Sequence, residues 1–251
     1  AGRLQGEGFT VPQDARPYAK QYERTWKKFT RLALTQDSLA DERFLQRWLR
    51  LPYIAFLIPI DDPAVVDQLT EWQAAFQPWL AYDAQPAERL HITLHYVGLL
   101  RRSPWMLLPH TWQRSALSGL ADRAREPIEL CAAFEIGFGP LNAFPNALIA
   151  EVQDTNRCLQ RLRARVRRAL PLRARPPSPW NYLPHVTLGY WGKQDAAPLI
   201  ERLRPFRAVE PQTMRVDRVK LTVYTRDMIA PQRDMLTTTE EDVIAQFSLQ
   251  G

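Results

Sequence analysis

Eight residues recur in this chain at a spacing that leaves few folds open. His91 to Gly98 reads HITLHYVG and His185 to Gly192 reads HVTLGYWG, so the two share His-x-Thr-Leu-x-Tyr-x-Gly. An apolar run and an amphipathic stretch precede each. Tyr53, which opens YIAFLIPI, lies 38 positions before His91, and Asn146, which opens NALIAEVQ, lies 39 before His185. A strand, a helix and a polar-faced strand thus occur twice, an internal duplication rather than a compositional bias. Two equivalent lobes are expected, and 251 residues with 45% hydrophobic content suffice to give them a core.

Within the first unit, Asp62 and Pro63 supply an N-cap and a proline suited to the first helical turn, and Val65, Leu69, Trp72, Phe76 and Trp79 form one stripe. In the second, DTNRCLQRLRARVRRAL buries Leu159, Leu162, Val166 and Leu170 at helical spacing. YAKQYERTWKKFTRLAL and DSLADERFLQRWLR predict two further helices, the second with Ser38 as N-cap. Residues 1–50 therefore read as a helical extension packed on a body spanning 51–251. Between the units a helix near Trp112 to Ala124, a strand over PIELCAAFEIGFG and a turn-rich PLNAFPN are expected. Asp195 to Leu203 reads as a short helix, MRVDRVKLTVYTR as a strand, and DVIAQFSL as an edge strand.

Side chains alternate along a strand, so His91 and Thr93 face one way while Ile92 and Leu94 face the other, and His185 and Thr187 oppose Val186 and Leu188. A lone histidine in a strand is ordinarily a hydrogen-bonded packing residue. Recurrence together with its threonine, in equivalent positions, argues instead for chemistry. If the halves meet about a pseudo-two-fold, two imidazoles and two hydroxyls converge on one cleft. One ring can take a proton while the other donates one, and threonine hydroxyls can hold the non-bridging oxygens of a phosphate. Such a site suits phosphodiester chemistry without a metal, and the sequence offers no His/Asp/Glu cluster at ligand spacing.

These paired motifs, each after a strand and a helix, resemble the 2H phosphoesterase superfamily, particularly its 2′-5′ RNA ligase and cyclic phosphodiesterase-like branch. The resemblance spans Leu51 to Leu249 by order of elements, with RLHITLHYVG and LPHVTLGYWG as its specific part. It implies an α+β, bilobal duplicated fold with an antiparallel-rich sheet in each lobe around a central cleft. The helices before Leu51 lie outside that pattern and are placed to reshape or cover the cleft. It also implies His91 and His185 as the acid/base pair, Thr93 and Thr187 as phosphate-holding hydroxyls, and metal-independent action on a 2′,3′-cyclic phosphate or 2′-5′ phosphodiester of RNA or nucleotides. No cofactor is expected. The alternative is an RNA- or nucleotide-binding module of the same fold with little or no turnover.

Three further residues are candidates for substrate contact. His95 falls on the His91 face if the strand stays regular, Trp191 falls on the His185 face by the same parity, and Phe144 lies where a base could stack, as Trp180 and Tyr182 also do. Regular alternation sends Tyr96 and Tyr190 to the core. The arginine run from Arg161 to Arg168 reads as a solvated helix face, with Arg173 and Arg175 adding weak attraction for a polyanion.

A formal charge of +6 and a pI near 9.5 favour an anionic partner. Cys131 and Cys158 match no metal or redox spacing. No stretch approaches the ~18 apolar residues of a membrane span, and the start of the chain lacks the charged-then-apolar order of a signal peptide. A monomeric, cytoplasmic protein is expected.

Overall fold

Both repeated units contribute their strands to one sheet. The computed structural model describes residues 17–37, 52–81, 84–101, 110–175, 182–224 and 243–251. Its elements in chain order are α1 (Ala19–Phe29), β1 (Tyr53–Pro59), α2 (Pro63–Phe76), β2 (His91–Leu100), β3 (Thr111–Trp112), α3 (Leu117–Glu129), β4 (Phe134–Phe144), β5 (Ala147–Gln153), α4 (Cys158–Ala169), β6 (His185–Tyr190), α5 (Ala196–Leu203), β7 (Gln212–Val216), β8 (Arg218–Tyr224) and β9 (Val243–Ser248). The second predicted N-terminal helix, from Ser38, lies outside the described residues.

The strand order is β7-β4-β5-β6-β2-β1-β8-β9, with β3 added alongside β2 in a parallel pairing. The motif strands β2 and β6 occupy the middle and meet at the pair Ile92 and Val186. Outward from that junction the two halves match. β6 pairs with β5, β5 with β4 and β4 with β7, while β2 pairs with β1, β1 with β8 and β8 with β9, all antiparallel. The first half takes its outer strands from the C-terminal end of the chain. The expected α+β, antiparallel-rich architecture is present, with the sheets of the two halves continuous through the junction.

Apolar alternation explains which face is filled. Ile92, Leu94, Val186 and Leu188 are fully buried and share one core with Val65, Leu69, Trp72 and Phe76 of α2 and Leu159, Leu162 and Val166 of α4. The helices cross over: α2 packs on β6 and β7, and α4 packs on β2. Each unit's helix thus covers the other unit's strands, which locks the halves together. Both helices are capped by carboxylates. Asp62 accepts from the amides of Ala64 and Val65, and Asp154 from those of Leu159 and Gln160.

Three expectations are corrected. Pro127 to Glu129 continue α3 rather than opening a strand, because Ile128 is buried at helical spacing from Ala121 and Ala124 and Pro127 falls in the final turn. PLNAF belongs to β4, and only Pro145 and Asn146 form the turn. MRVDRVKLTVY divides at Asp217 into β7 and β8, which belong to opposite halves of the sheet.

Residues 17–37 pack against the body. Phe29 is fully buried in the common core, and the Tyr22 backbone carbonyl accepts from Asn142 on β4. Thr35 donates to the carbonyl of Gly192, and its amide donates to Gln194. Among the described residues no helix is long and apolar enough to cross a membrane.

Candidate active site

With Ile92 opposite Val186 in an antiparallel pair, the next rung on one side sets His91 against Thr187 and the next on the other sets Thr93 against His185. All four side chains stand on the same face and are partly exposed there. His91 and His185 are diagonal neighbours, a relationship that spans about 7–8 Å. The quartet is therefore built from one local crossing of two strands.

The two imidazoles are held alike. His91 Nδ1 lies 2.7 Å from the carbonyl oxygen of Arg89, and His185 Nδ1 lies 2.8 Å from that of Leu183, in each case two residues upstream. A carbonyl only accepts, so Nδ1 carries the proton in both rings and Nε2 is left for the substrate. Burial lowers both pKa values against the smaller opposing pull of those carbonyl bonds, and the nearby His91 lowers His185 further. Both rings therefore rest neutral at pH 7, each with an available Nε2 lone pair.

An extra residue in each motif strand decides what surrounds the quartet. On β1, Phe56 pairs with His95 and Leu57 with Thr93, so Leu94 has no partner; on β5, Leu148 pairs with Gly189 and Ile149 with Thr187, so Leu188 has none. The bulge falls on the same leucine of both motifs and reverses the alternation beyond it. Tyr96 and Tyr190 accordingly emerge on the face of the histidines, half-buried, instead of entering the core. His95 turns inward, where it is 5% exposed and its Nε2 bonds the Ala174 carbonyl at 2.8 Å. Burial, with the positive field of Arg163, Arg167 and Arg175, pushes its pKa down to about 4. It is a neutral packing histidine and leaves the polar wall.

Trp191 is also corrected. It is fully buried against Phe76, with ring centroids 6.4 Å apart, and cannot reach a ligand. Its indole N–H donates to the carbonyl of Phe144 at 3.2 Å. Phe144 itself stands edge-on to His185, with ring centroids 4.9 Å apart. The partner position in the other half is Tyr224, at the C-terminal end of β8 as Phe144 is at that of β4. Its ring lies 6.1 Å from His91 and its hydroxyl shares a hydrogen bond with the Thr93 side chain. Each histidine thus has one aromatic neighbour from the strand two positions outward. Tyr53 completes the wall, 6.0 Å from Tyr96 and 5.6 Å from Tyr224.

Tyr224, Tyr96 and Tyr190 were not among the expected site residues. The tyrosine shared by both copies of the repeated octet was the available signal for two of them. Trp180 lies outside the described residues. Tyr182 serves the backbone, donating to the Thr93 carbonyl at 3.2 Å, while its ring carries the Arg163 guanidinium at 4.0 Å.

Other arginines of α4 are similarly engaged: Arg161 donates to the Asn156 carbonyl and Arg165 to that of Leu130. On the second half of the sheet, Glu151 is the register partner of His185 and so shares its face. Asn142 and Arg207 hold its carboxylate beneath α1. The N-terminal helix therefore borders the site from the β5 side. Among the described residues, no three His, Cys, Asp or Glu side chains are grouped to hold a metal ion.

The 2′-5′ RNA ligase superfamily model matches residues 59–228. No curated protein matches the chain. Among solved structures, E. coli LigT complexed with 3′-AMP is 17% identical, with a TM-score of 0.54 over 80% of this chain and 99% of LigT. LigT complexed with NADP+ gives 17% identity and a TM-score of 0.51 over the same shares. A crystal structure described as a phosphoesterase, 15% identical over 80% of this chain and 99% of its own, gives 0.50. These likenesses establish the fold.

Proposed function

The chain belongs to the 2′-5′ RNA ligase superfamily, and on that premise we propose that it is a phosphoesterase acting on 2′,3′-cyclic phosphate or 2′-5′ phosphodiester bonds of RNA or nucleotides through His91 and His185. The observation that carries this reading is the matched commitment of both Nδ1 atoms to backbone carbonyls. It leaves two Nε2 atoms on one face, one able to accept a proton while the other donates.

A phosphate anion between the rings favours protonation, and the mutual repulsion of two imidazolium ions limits the pair to one proton. The neutral Nε2 takes the proton of a water molecule, whose oxygen attacks phosphorus. The bond from phosphorus to the 2′ or 3′ oxygen breaks, and that oxygen takes the proton of the imidazolium. The two rings end with their protonation states exchanged. In the reverse direction a ribose hydroxyl replaces the water. Thr93 and Thr187, each across the junction from a histidine, donate to the non-bridging oxygens as charge builds on them.

Nucleotide complexes of LigT, with 3′-AMP and NADP+, support a nucleotide-sized ligand here as well. The test is a panel of 2′,3′-cyclic and 2′-5′-linked substrates offered with a chelator present, comparing the wild type with His91→Ala and His185→Ala. Turnover in the wild type that both substitutions abolish is expected. Turnover surviving both overturns the assignment, and tight binding without wild-type turnover points to the binding module.

A further inference from the structure

The twin bulges do more than exclude His95 and Trp191: they set a tyrosine at either end of the quartet. Along β2, Thr93 is followed on the site face by Tyr96; along β6, which runs the opposite way, Thr187 is followed by Tyr190. One tyrosine therefore lies beyond the rung of Thr93 and His185 and the other beyond the rung of His91 and Thr187. Each is about 7 Å further along its strand, because the bulge makes three residues span two positions of the partner strand, from Leu57 to Ala55 and from Ile149 to Ala147.

Ile92 and Val186 are the one register pair of β2 and β6 among the described residues, and beyond it other segments bond the edges of the two strands. The outer carbonyls of β6 at Leu188 and Tyr190 bond the amides of Gln85 and Ala81, and the Thr93 carbonyl of β2 takes the Tyr182 hydroxyl. Both tyrosine side chains are half-buried there. Aromatic neighbours brace Tyr96 through Tyr53.

Resting on the phosphoesterase reading, we propose that Tyr96 and Tyr190 are a symmetric pair of base-stacking platforms, so that the site takes a phosphodiester with a nucleoside on each side. A phosphate held by the quartet directs its two ester oxygens toward opposite ends of the crossing, and each end presents one aromatic ring. Stacking on such a ring is sequence-tolerant, because every base has a π-face. The preferred substrate is then a diester joining two nucleosides, and the cyclic phosphate of one nucleoside engages only one of the two rings.

The experiment compares 2′-5′-linked diadenosine monophosphate with adenosine 2′,3′-cyclic phosphate in the wild type, Tyr96→Ala, Tyr190→Ala and the two corresponding Phe variants. Each Ala substitution should raise KM for the dinucleotide roughly 5- to 150-fold, the value of one stacked base, with kcat held within a few-fold. Only one of them should raise KM for the cyclic nucleotide. The Phe variants, which keep the ring, should restore wild-type KM and also report that the fold tolerates the sites. Unchanged KM in either Ala variant, or Phe variants as impaired as Ala, overturns the stacking pair. Turnover of the cyclic phosphate without turnover of the dinucleotide overturns it while leaving the phosphoesterase reading intact; a wild type inactive on both removes that reading itself.

Discussion

Ile92 and Val186 pair across the junction of β2 and β6, and this single contact determines that each histidine stands opposite the other half's threonine. The four groups proposed to act in catalysis are thus interdependent across the duplication. His91→Ala and His185→Ala should each lower kcat by about 10²- to 10⁴-fold, the range for one acid or base. The double variant should fall little further, because a proton relay fails when either member is missing. Thr93→Val and Thr187→Val should each cost about 10²-fold in kcat. Steady-state kinetics of the five variants would detect simple additivity, which is incompatible with a shared relay.

Because burial holds both histidines below their ordinary pKa, the singly protonated pair exists in the free protein at acidic pH. The kcat/KM profile should be bell-shaped with its maximum below about pH 6.5, the unperturbed histidine value. A bound phosphate anion favours the charged ring, so the kcat maximum should lie at higher pH than that of kcat/KM. Coincident maxima would rule out this coupling.

His95 predicts a pH-dependent stability. Its folded pKa of about 4 lies below the unfolded value, so between the two the unfolded chain binds more protons and stability rises with pH. The contribution is complete above about pH 6.5 and disappears as pH falls toward 4, with about 2 kcal/mol gone by pH 5. His91 and His185, whose pKa values are also lowered by desolvation, act in the same direction. Urea unfolding at pH 7 and pH 5 should show the loss, and His95→Gln should shrink it; an equal loss in that variant would assign the effect elsewhere.

The legible parts of the site were those governed by period two before the bulge. His91, Thr93, His185 and Thr187 share a face because no register shift intervenes between them. Leu94 and Leu188 look like ordinary core leucines in sequence, yet each carries the shift that turns His95 and Trp191 inward and Tyr96 and Tyr190 outward. A bulge depends on which strand lies alongside, and that is a tertiary property. For the same reason Tyr224 was invisible: it approaches His91 only because β8, distant in sequence, pairs with β1. The helices were legible from their stripes, but their exchange between halves was not, since an apolar stripe does not name the strand it covers.

Trp191 bonds the backbone of Phe144, whose ring stands against His185. Trp191→Phe keeps the ring but removes the donor to the Phe144 carbonyl, which should cost about 1–3 kcal/mol of stability for a polar group left without its partner. Phe144 should then pack less firmly on His185. A rise in KM that exceeds any change in kcat, together with the lowered unfolding midpoint, is the expected pattern; wild-type values of both would show the bond to be dispensable.

Gly189 and Gly98 should respond differently to the same added methyl. At Gly98, with φ of 145°, a Cβ would stand 2.1 Å from the backbone oxygen of His110, which itself accepts from the Leu99 amide. Neither the left-handed conformation nor a backbone carbonyl can yield cheaply, so Gly98→Ala should cost more than about 3 kcal/mol. At Gly189 the methyl meets the Leu80 side chain, 2.5 Å from Cδ1. That side chain can rotate or be shortened, so Gly189→Ala should cost about 1–3 kcal/mol, as overpacking does. Leu80→Ala should relieve it, giving a favourable coupling in the double-mutant cycle between positions 80 and 189. No truncation of the His110 side chain should rescue Gly98→Ala, because the obstacle there is main chain. Position 189 is the counterpart of His95, and where one half sends an imidazole inward the other leaves room for a leucine. Additive effects of Leu80→Ala and Gly189→Ala would show that the methyl is accommodated by moving β6 instead, and catalysis through His185 should then fall along with stability.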